Sequence, residues 1–251
     1  MFFFQKRKHF YNNLFEGSID FHNHLLPAID DGSKNIRDSL KMVDAYESLG
    51  FDGVLCSPHI FKEHFPNTPI SINAAFDELS GELFKVDKSN FLLGYTAEYM
   101  LDEYFLELLD SEQKLLPVFK NYLLVEVPFF FNNKELLIGT ILHIKERGFI
   151  PILAHPERYY NLNSLDFFTN LKSHGCYLQG NALSFVKHYG GHVSKKADEM
   201  LSSKLFDFIC TDAHRASDIN KLSQLRLTKS NYKIWKDILD QQRFTISSYL
   251  G

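Results

Sequence analysis

The feature that most restricts this fold is a recurring pattern rather than a recurring set of residues. Seven short apolar runs, at positions 19–25, 53–59, 91–100, 122–129, 149–155, 176–182 and 206–214, alternate with longer segments of helical periodicity. In SLKMVDAYESLG, Leu40, Val43, Ala45 and Tyr46 recur at helical spacing and Gly50 supplies the stop. NNKELLIGTILHIKERG behaves the same way and ends at Gly148. Apolar residues on consecutive positions suit strands covered on both faces, as in a parallel sheet wrapped by helices. The rival, an open doubly wound sheet, would carry a Gly-rich phosphate loop after a strand, and none is present. The pattern predicts one α/β barrel domain over 19–251, preceded by an arm over 1–18. A length of 251 residues agrees with one such barrel.

Composition closes off other classes. With 45% apolar and 15% aromatic residues the chain can bury a core, so disorder is excluded. The 3 cysteines, Cys56, Cys176 and Cys210, form no C-x-x-C pair, which excludes a disulfide scaffold and a Cys-rich zinc module. A reducing cytoplasm is the predicted compartment. The 27 basic against 31 acidic side chains, a net charge of −4, leave no broad basic face for nucleic acid. No apolar run approaches the ~20 residues that span a bilayer. At the start of the chain three Phe precede Lys6, Arg7 and Lys8, the reverse of a signal peptide. The arm is predicted to pack its aromatics on the domain surface; the alternative is a peripheral contact with a membrane or partner.

Strand interiors are apolar, yet nearly every run ends in His, Asp or Glu. The ends supply His22 and His24, His59, Glu98, Glu126, His155, and Asp212 with His214. Residues i and i+2 share one face of a strand, so His22 pairs with His24, and Asp212 with His214. All strand C-termini of a parallel barrel open on one rim, so these side chains are predicted to converge there. Asp31, in the loop IDDG, is placed to join them. Clustered carboxylates repel and are costly to bury, and divalent cations remove that cost through imidazole and carboxylate ligands. Nine donors exceed one coordination sphere, so two or three metals are implied, an arrangement that hydrolyses phosphate esters. Taken singly, the H-x-H pair, His59 or His155 reads as structural and a strand-end Glu as a solvated rim residue; the joint placement carries the inference. His9, His64, His143, His174, His188 and His192 show no such placement.

The motifs IDFHNHLLPAIDDG, SPHI, AEY, VEVPF, LAHPERY and TDAH, in that order, resemble the polymerase-and-histidinol-phosphatase (PHP) superfamily. Within it the sequence is most similar to the bacterial capsule and exopolysaccharide metal-dependent protein-tyrosine phosphatases, from about residue 19 to 214. The resemblance implies a distorted seven-stranded TIM-like barrel holding three divalent metals, usually Mn²⁺, with Fe, Zn or Mg as alternatives. It implies a first metal on His22, His24, Glu98 and Asp212, and a second on Glu98, Glu126 and His155. The third would sit on Asp31, His59 and His214, and Arg158 would contact phosphate. The implied substrate is the tyrosine-phosphorylated autokinase of polysaccharide synthesis, attacked by a metal-bound hydroxide.

The arm and the loop KEHFPNTPI depart from the family pattern. A thiol-dependent tyrosine phosphatase needs a Cys followed six positions later by Arg. Here Lys62, Ala182 and Ala216 stand at those positions, so that mechanism is excluded. Phe61, Phe65, Tyr99, Phe129 and Tyr159 are the candidates to pack on a substrate ring, with ordinary core packing as the alternative for each. No residue is assigned to protonate the leaving oxygen. The rival functions are a histidinol-phosphate phosphatase, a PHP-type nuclease and a non-catalytic metal-binding module that docks on export machinery.

Overall fold

Helices begin and end where local groups satisfy their loose backbone amides and carbonyls. In this computed structural model, which describes residues 9, 11 and 13–250, α1 spans Ile36–Leu49. Asn35 caps it by accepting the Asp38 amide, and Gly50 ends it at φ 91°, a left-handed conformation that costs glycine little. α2 (Pro69–Lys85) opens with Pro69 in its first turn and a reciprocal Thr68–Ser71 capping box. Five further helices follow: α3 (Glu103–Asp110), α4 (Lys134–Glu146), α5 (Leu165–Ser173), α6 (Gly191–Ser202) and α7 (Ala216–Lys221). α8 (Lys229–Leu250) closes the described chain.

The strands form an α/β structure with two all-parallel sheets. One orders β1 (Ser18–Asp20), β2 (Phe51–Cys56) and β4 (Leu92–Tyr95). The other orders β3 (His59–Ile60), β5 (Glu98–Met100), β6 (Tyr122–Glu126), β7 (Ile150–Ala154), β8 (Tyr177–Asn181) and β9 (Phe208–Cys210). The seven expected runs thus become nine strands among the described residues, because two runs break. Run 53–59 breaks at Ser57–Pro58, where proline has no N–H for the ladder, and run 91–100 breaks beside it at Thr96–Ala97. The two breaks stay bonded, Thr96 N to Cys56 O (2.7 Å) and Glu98 N to Pro58 O (3.0 Å). Both chains thereby pass from the first sheet into the second.

The strand ladders themselves draw two open sheets, not a closed ring. Beyond β1 and β9 a single parallel bridge, Asn23 to Ala213, joins their continuations. Most apolar side chains lie between strands and helices. A second cluster, including Phe21, Leu124, Ile152, Phe208 and Cys210, lies inside the strands. Residues two further along the same strand faces, Glu126 after Leu124 and Asp212 after Cys210, therefore emerge directly above that plug.

The described part of the N-terminal arm packs on the domain. His9 pairs with Leu227 through bonds of 2.7 and 2.9 Å, Tyr11 stacks on Tyr232, and Leu14 and Phe15 are buried. Residues 1–8, 10 and 12 lie outside the described residues. Among the described residues no helix is long and apolar enough to cross a membrane. All three cysteines are free and buried.

Candidate metal centre

Parallel register brings the ionisable strand ends together. His59 stands directly beside Glu98, and Met100 beside Glu126, across the β3–β5–β6 ladder. His22 and His24 lie just beyond the end of β1 and not within a strand, their ring centroids 5.7 Å apart. His155 and Asp212, just past β7 and β9, both have positive φ, 35° and 50°. Such strained backbone in residues other than glycine clusters at functional sites. The Asp212 turn is held by its amide on His22 O (2.7 Å) and by Thr211 N on the buried Asp20 carboxylate (3.1 Å).

The nine expected donors fall into interlocking groups. His22, His24, Glu98 and Asp212 present atoms within 4.8 Å of one another, as do His24, Asp31, His59 and His214. His59, Glu98 and Glu126 make a third such group. His155 Nε2 stands 3.2 Å from Glu98 Oε1 and 3.7 Å from Glu126 Oε2, so it borders that third group. Two residues reach further than expected: His24 also faces the Asp31 group, and His59 also faces Glu126 at 3.1 Å.

The donor set fits cations better than it fits itself. His22 Nε2 and Glu98 Oε2 are 3.1 Å apart, yet both are buried without hydrogen-bond geometry, as is His59 Nδ1. Buried polar atoms are rarely left unpaired in this way, and a ligated ion is one arrangement that satisfies them. Electrostatics point the same way. Burial opposes a charge on His22, but Glu98 and Asp212 outweigh it and push its pKa up to about 9. Burial likewise opposes charge on Glu98, and His22 and His59 hold it well below the usual carboxylate range. Burial also acts against ionised Asp31, yet its bond to His214 brings it down to about 2. Protons on the histidines thus offset the clustered carboxylates in the metal-free chain.

The side chains that orient these donors escaped the sequence reading. Asp30 Oδ2 bonds His24 Nδ1 at 2.8 Å and accepts the His59 amide at 3.2 Å. Gln179 Oε1 bonds His22 Nδ1 at 2.7 Å. Such bonds fix the ring so that the other nitrogen faces the centre. Asn181 donates to Asp212 Oδ2 at 2.9 Å. The clues lay in IDDG, where Asp30 precedes Asp31, and in the sixth run, which ends in Gln179 and Asn181 without any His or carboxylate.

Arg158 lies in the short turn after His155, and its Nη1 is 2.5 Å from Asp212 Oδ2. Its guanidinium lies between the rings of Phe129 (4.5 Å) and Tyr189 (4.0 Å), an aromatic partner that no sequence pattern indicated. A cavity of about 400 Å³ opens over the centre, lined by Asp31, His59, Arg158 and His214 among others. Phe61, Phe65 and Phe129 line it, as their positions suggested. Tyr99 and Tyr159 do not: each is 1% exposed, with its hydroxyl bonded to backbone at Leu116 and Ala154. His64, passed over in the sequence, is on the cavity wall.

Comparison with known proteins places this arrangement. YwqE, a tyrosine-protein phosphatase of Bacillus subtilis, is 27% identical over 211 residues, covering 80% of this chain and 79% of its own. CpsB, a tyrosine-protein phosphatase of Streptococcus pneumoniae, is 27% identical over 205 residues, covering 78% and 82%. A chain from the crystal structures of YwqE and CpsB, metal-dependent tyrosine phosphatases, matches with a TM-score of 0.74 at 23% identity over 92% of both chains. The family model for capsular polysaccharide synthesis, CpsB/CapC, matches residues 18–238, which is most of the chain. On that match, and with a fold and clustered strand-end donors that agree with it, the chain belongs to the CpsB/CapC family.

Proposed function

We propose that this protein is a metal-dependent protein-tyrosine phosphatase, acting in the cytoplasm on the tyrosine-phosphorylated autokinase of capsule or exopolysaccharide synthesis. The observation that carries the reading is the convergence of nine His, Asp and Glu donors, several buried and unpaired, beneath a cavity that also holds Arg158. Three Mn²⁺ ions fit the chemistry of the donors. His22, His24, Glu98 and Asp212 would hold one, Glu98, Glu126 and His155 the second, and Asp31, His59 and His214 the third. Bound ions would supply positive charge for the phosphate and lower the pKa of water.

The chain's own groups do the rest. Arg158 presents a planar fork to a phosphoryl oxygen, and the stacking on Phe129 and Tyr189 sets its plane before substrate arrives. Phe61, Phe65 and Phe129 offer apolar walls for the tyrosine ring. A thiolate route is closed, since burial pushes Cys176 up to about 12 and keeps Cys56 and Cys210 protonated as well.

The same reading extends to architecture. Taking β2 with β3 and β4 with β5 as single bent strands leaves seven, and the Asn23–Ala213 bridge supports their closure into a distorted barrel. Residues 19–251 then form one catalytic domain, with 1–18 as its arm. The test is turnover of a phosphotyrosine peptide, and of histidinol phosphate, by chelated and Mn²⁺-reloaded protein. The expected result is Mn²⁺-dependent release of phosphate from the peptide. Undiminished activity after chelation, or a preference for histidinol phosphate, would overturn it.

A further inference from the structure

Expulsion of a tyrosine phenolate calls for a proton, because its conjugate acid has a pKa near 10. The cavity wall narrows the donors that can supply it. Its ionisable side chains are Asp31, His59, Glu126, His155, Asp212, His214, Arg158 and His64. The first six belong to the donor groups around the centre. Arg158 holds its protons too tightly to give one up and is tied to Asp212. Among the described residues, His64 alone of these is outside the donor groups and outside any ion pair.

The loop that carries His64 is tied down on the cavity wall. Phe61 and Phe65 exchange backbone hydrogen bonds of 3.0 and 2.7 Å, closing a tight turn with His64 near its tip. The Phe65 ring stacks on His59 at 5.3 Å with an interplanar angle of 12°. Asn67 ties the far end down through His59 O (2.9 Å) and Ile29 O (2.8 Å). The His64 ring packs on Phe61, with centroids 4.6 Å apart. Its ring nitrogens have no hydrogen-bond partner among the described residues. An imidazole that is exposed, packed on a neighbouring ring and unpartnered at both nitrogens among the described residues is suited to general-acid work.

We propose that His64 is the general acid that protonates the leaving phenolate. The inference rests on the phosphotyrosine phosphatase reading above. As water's oxygen bonds to phosphorus, the P–O(aryl) bond breaks and its electron pair passes to the phenolate oxygen. The imidazolium N–H of His64 delivers its proton there, giving neutral phenol. The proton released by the attacking water returns through solvent to the neutral imidazole, so the net change is water plus phosphotyrosine to tyrosine plus hydrogen phosphate.

The experiment compares wild type with His64→Ala and His64→Gln on a phosphotyrosine peptide, phenyl phosphate and 4-nitrophenyl phosphate. 4-Nitrophenolate is a much weaker base and leaves without help. For both variants kcat should fall about 10²-fold on the first two substrates and change little on the third. Added imidazole should restore part of the lost turnover in His64→Ala, which a purely structural role would not allow. Equal losses on all three substrates, or no loss on any, would overturn the proposal while leaving the phosphatase reading intact. A wild-type protein inert toward all three would sink that reading and this inference with it.

Discussion

Arg158 and Asp212, 54 positions apart in sequence, meet through Nη1 and Oδ2 at 2.5 Å. The contact joins a residue suited to phosphate with one suited to a cation, so under the proposed function a phosphate and a metal would share one corner of the cavity. Arg158→Ala should reduce turnover of phosphotyrosine peptide about 10²-fold, since one preorganised donor to the reacting group is lost. Arg158→Lys should recover only part of it, because an ammonium offers no planar fork to lie between Phe129 and Tyr189. Metal content, read by elemental analysis, should stay at the wild-type level in both. Wild-type turnover in Arg158→Ala would remove Arg158 from the site.

Metal binding should depend on pH with a defined sign. In the metal-free chain the His22 pKa is raised from 6.5 to about 9, so His22 is protonated at neutral pH. A raised pKa stabilises the folded state fully below 6.5, and that contribution fades as pH climbs through 9. The metal-free protein should therefore lose thermal stability between those limits. A metal must displace the same proton, so apparent Mn²⁺ affinity should rise by about tenfold per pH unit for each proton displaced, levelling off past the His22 pKa. Calorimetry at a series of pH values checks both trends. An affinity flat with pH would mean that His22 is not a ligand.

Gly32 is required by the packing of the IDDG loop. A Cβ at this position would collide with the backbone oxygen and Cβ of His24, neither of which is a flexible side-chain end. Gly32→Ala should lower stability by about 1–3 kcal/mol and shift His24 and Asp31 out of register. The expected readout is a lower Tm together with reduced Mn²⁺ stoichiometry. Unchanged values of both would show that the loop can yield.

Lys196 should anchor the Arg158 turn from beneath. It is 5% exposed, and its Nζ donates to the carbonyls of Pro156 (3.0 Å), Tyr159 (3.0 Å) and Leu162 (2.6 Å). Lys196→Met removes all three donors and leaves those acceptors in a buried site. Urea unfolding should show a loss of about 3 kcal/mol. A loss below about 1 kcal/mol would mean that water replaces the ammonium there.

Much of the centre was legible because strand chemistry is periodic and local. An apolar run ending in His, Asp or Glu marks a strand whose end faces something polar, and the six such runs share one rim if their strands are parallel. Gly50 and Gly148 were likewise legible as stops, being set by backbone conformation. Pro58 was a local signal for the first break, but the matching break at Ala97 was not legible, because it depends on a neighbouring strand crossing between sheets at the same level. Sequence also could not separate Tyr99 and Tyr159 from Phe129, since buried and cavity-lining aromatics near strand ends look alike along the chain.

By itself, then, the sequence determined which residue types stand at the strand ends, and hence the chemistry open to them. Only the tertiary structure decided their partners. Gln179 holds His22 from 157 positions away, Tyr189 packs on Arg158, and His64 lines the cavity. Those pairings follow from strand order and register, which bring together residues with no mutual signal in the chain.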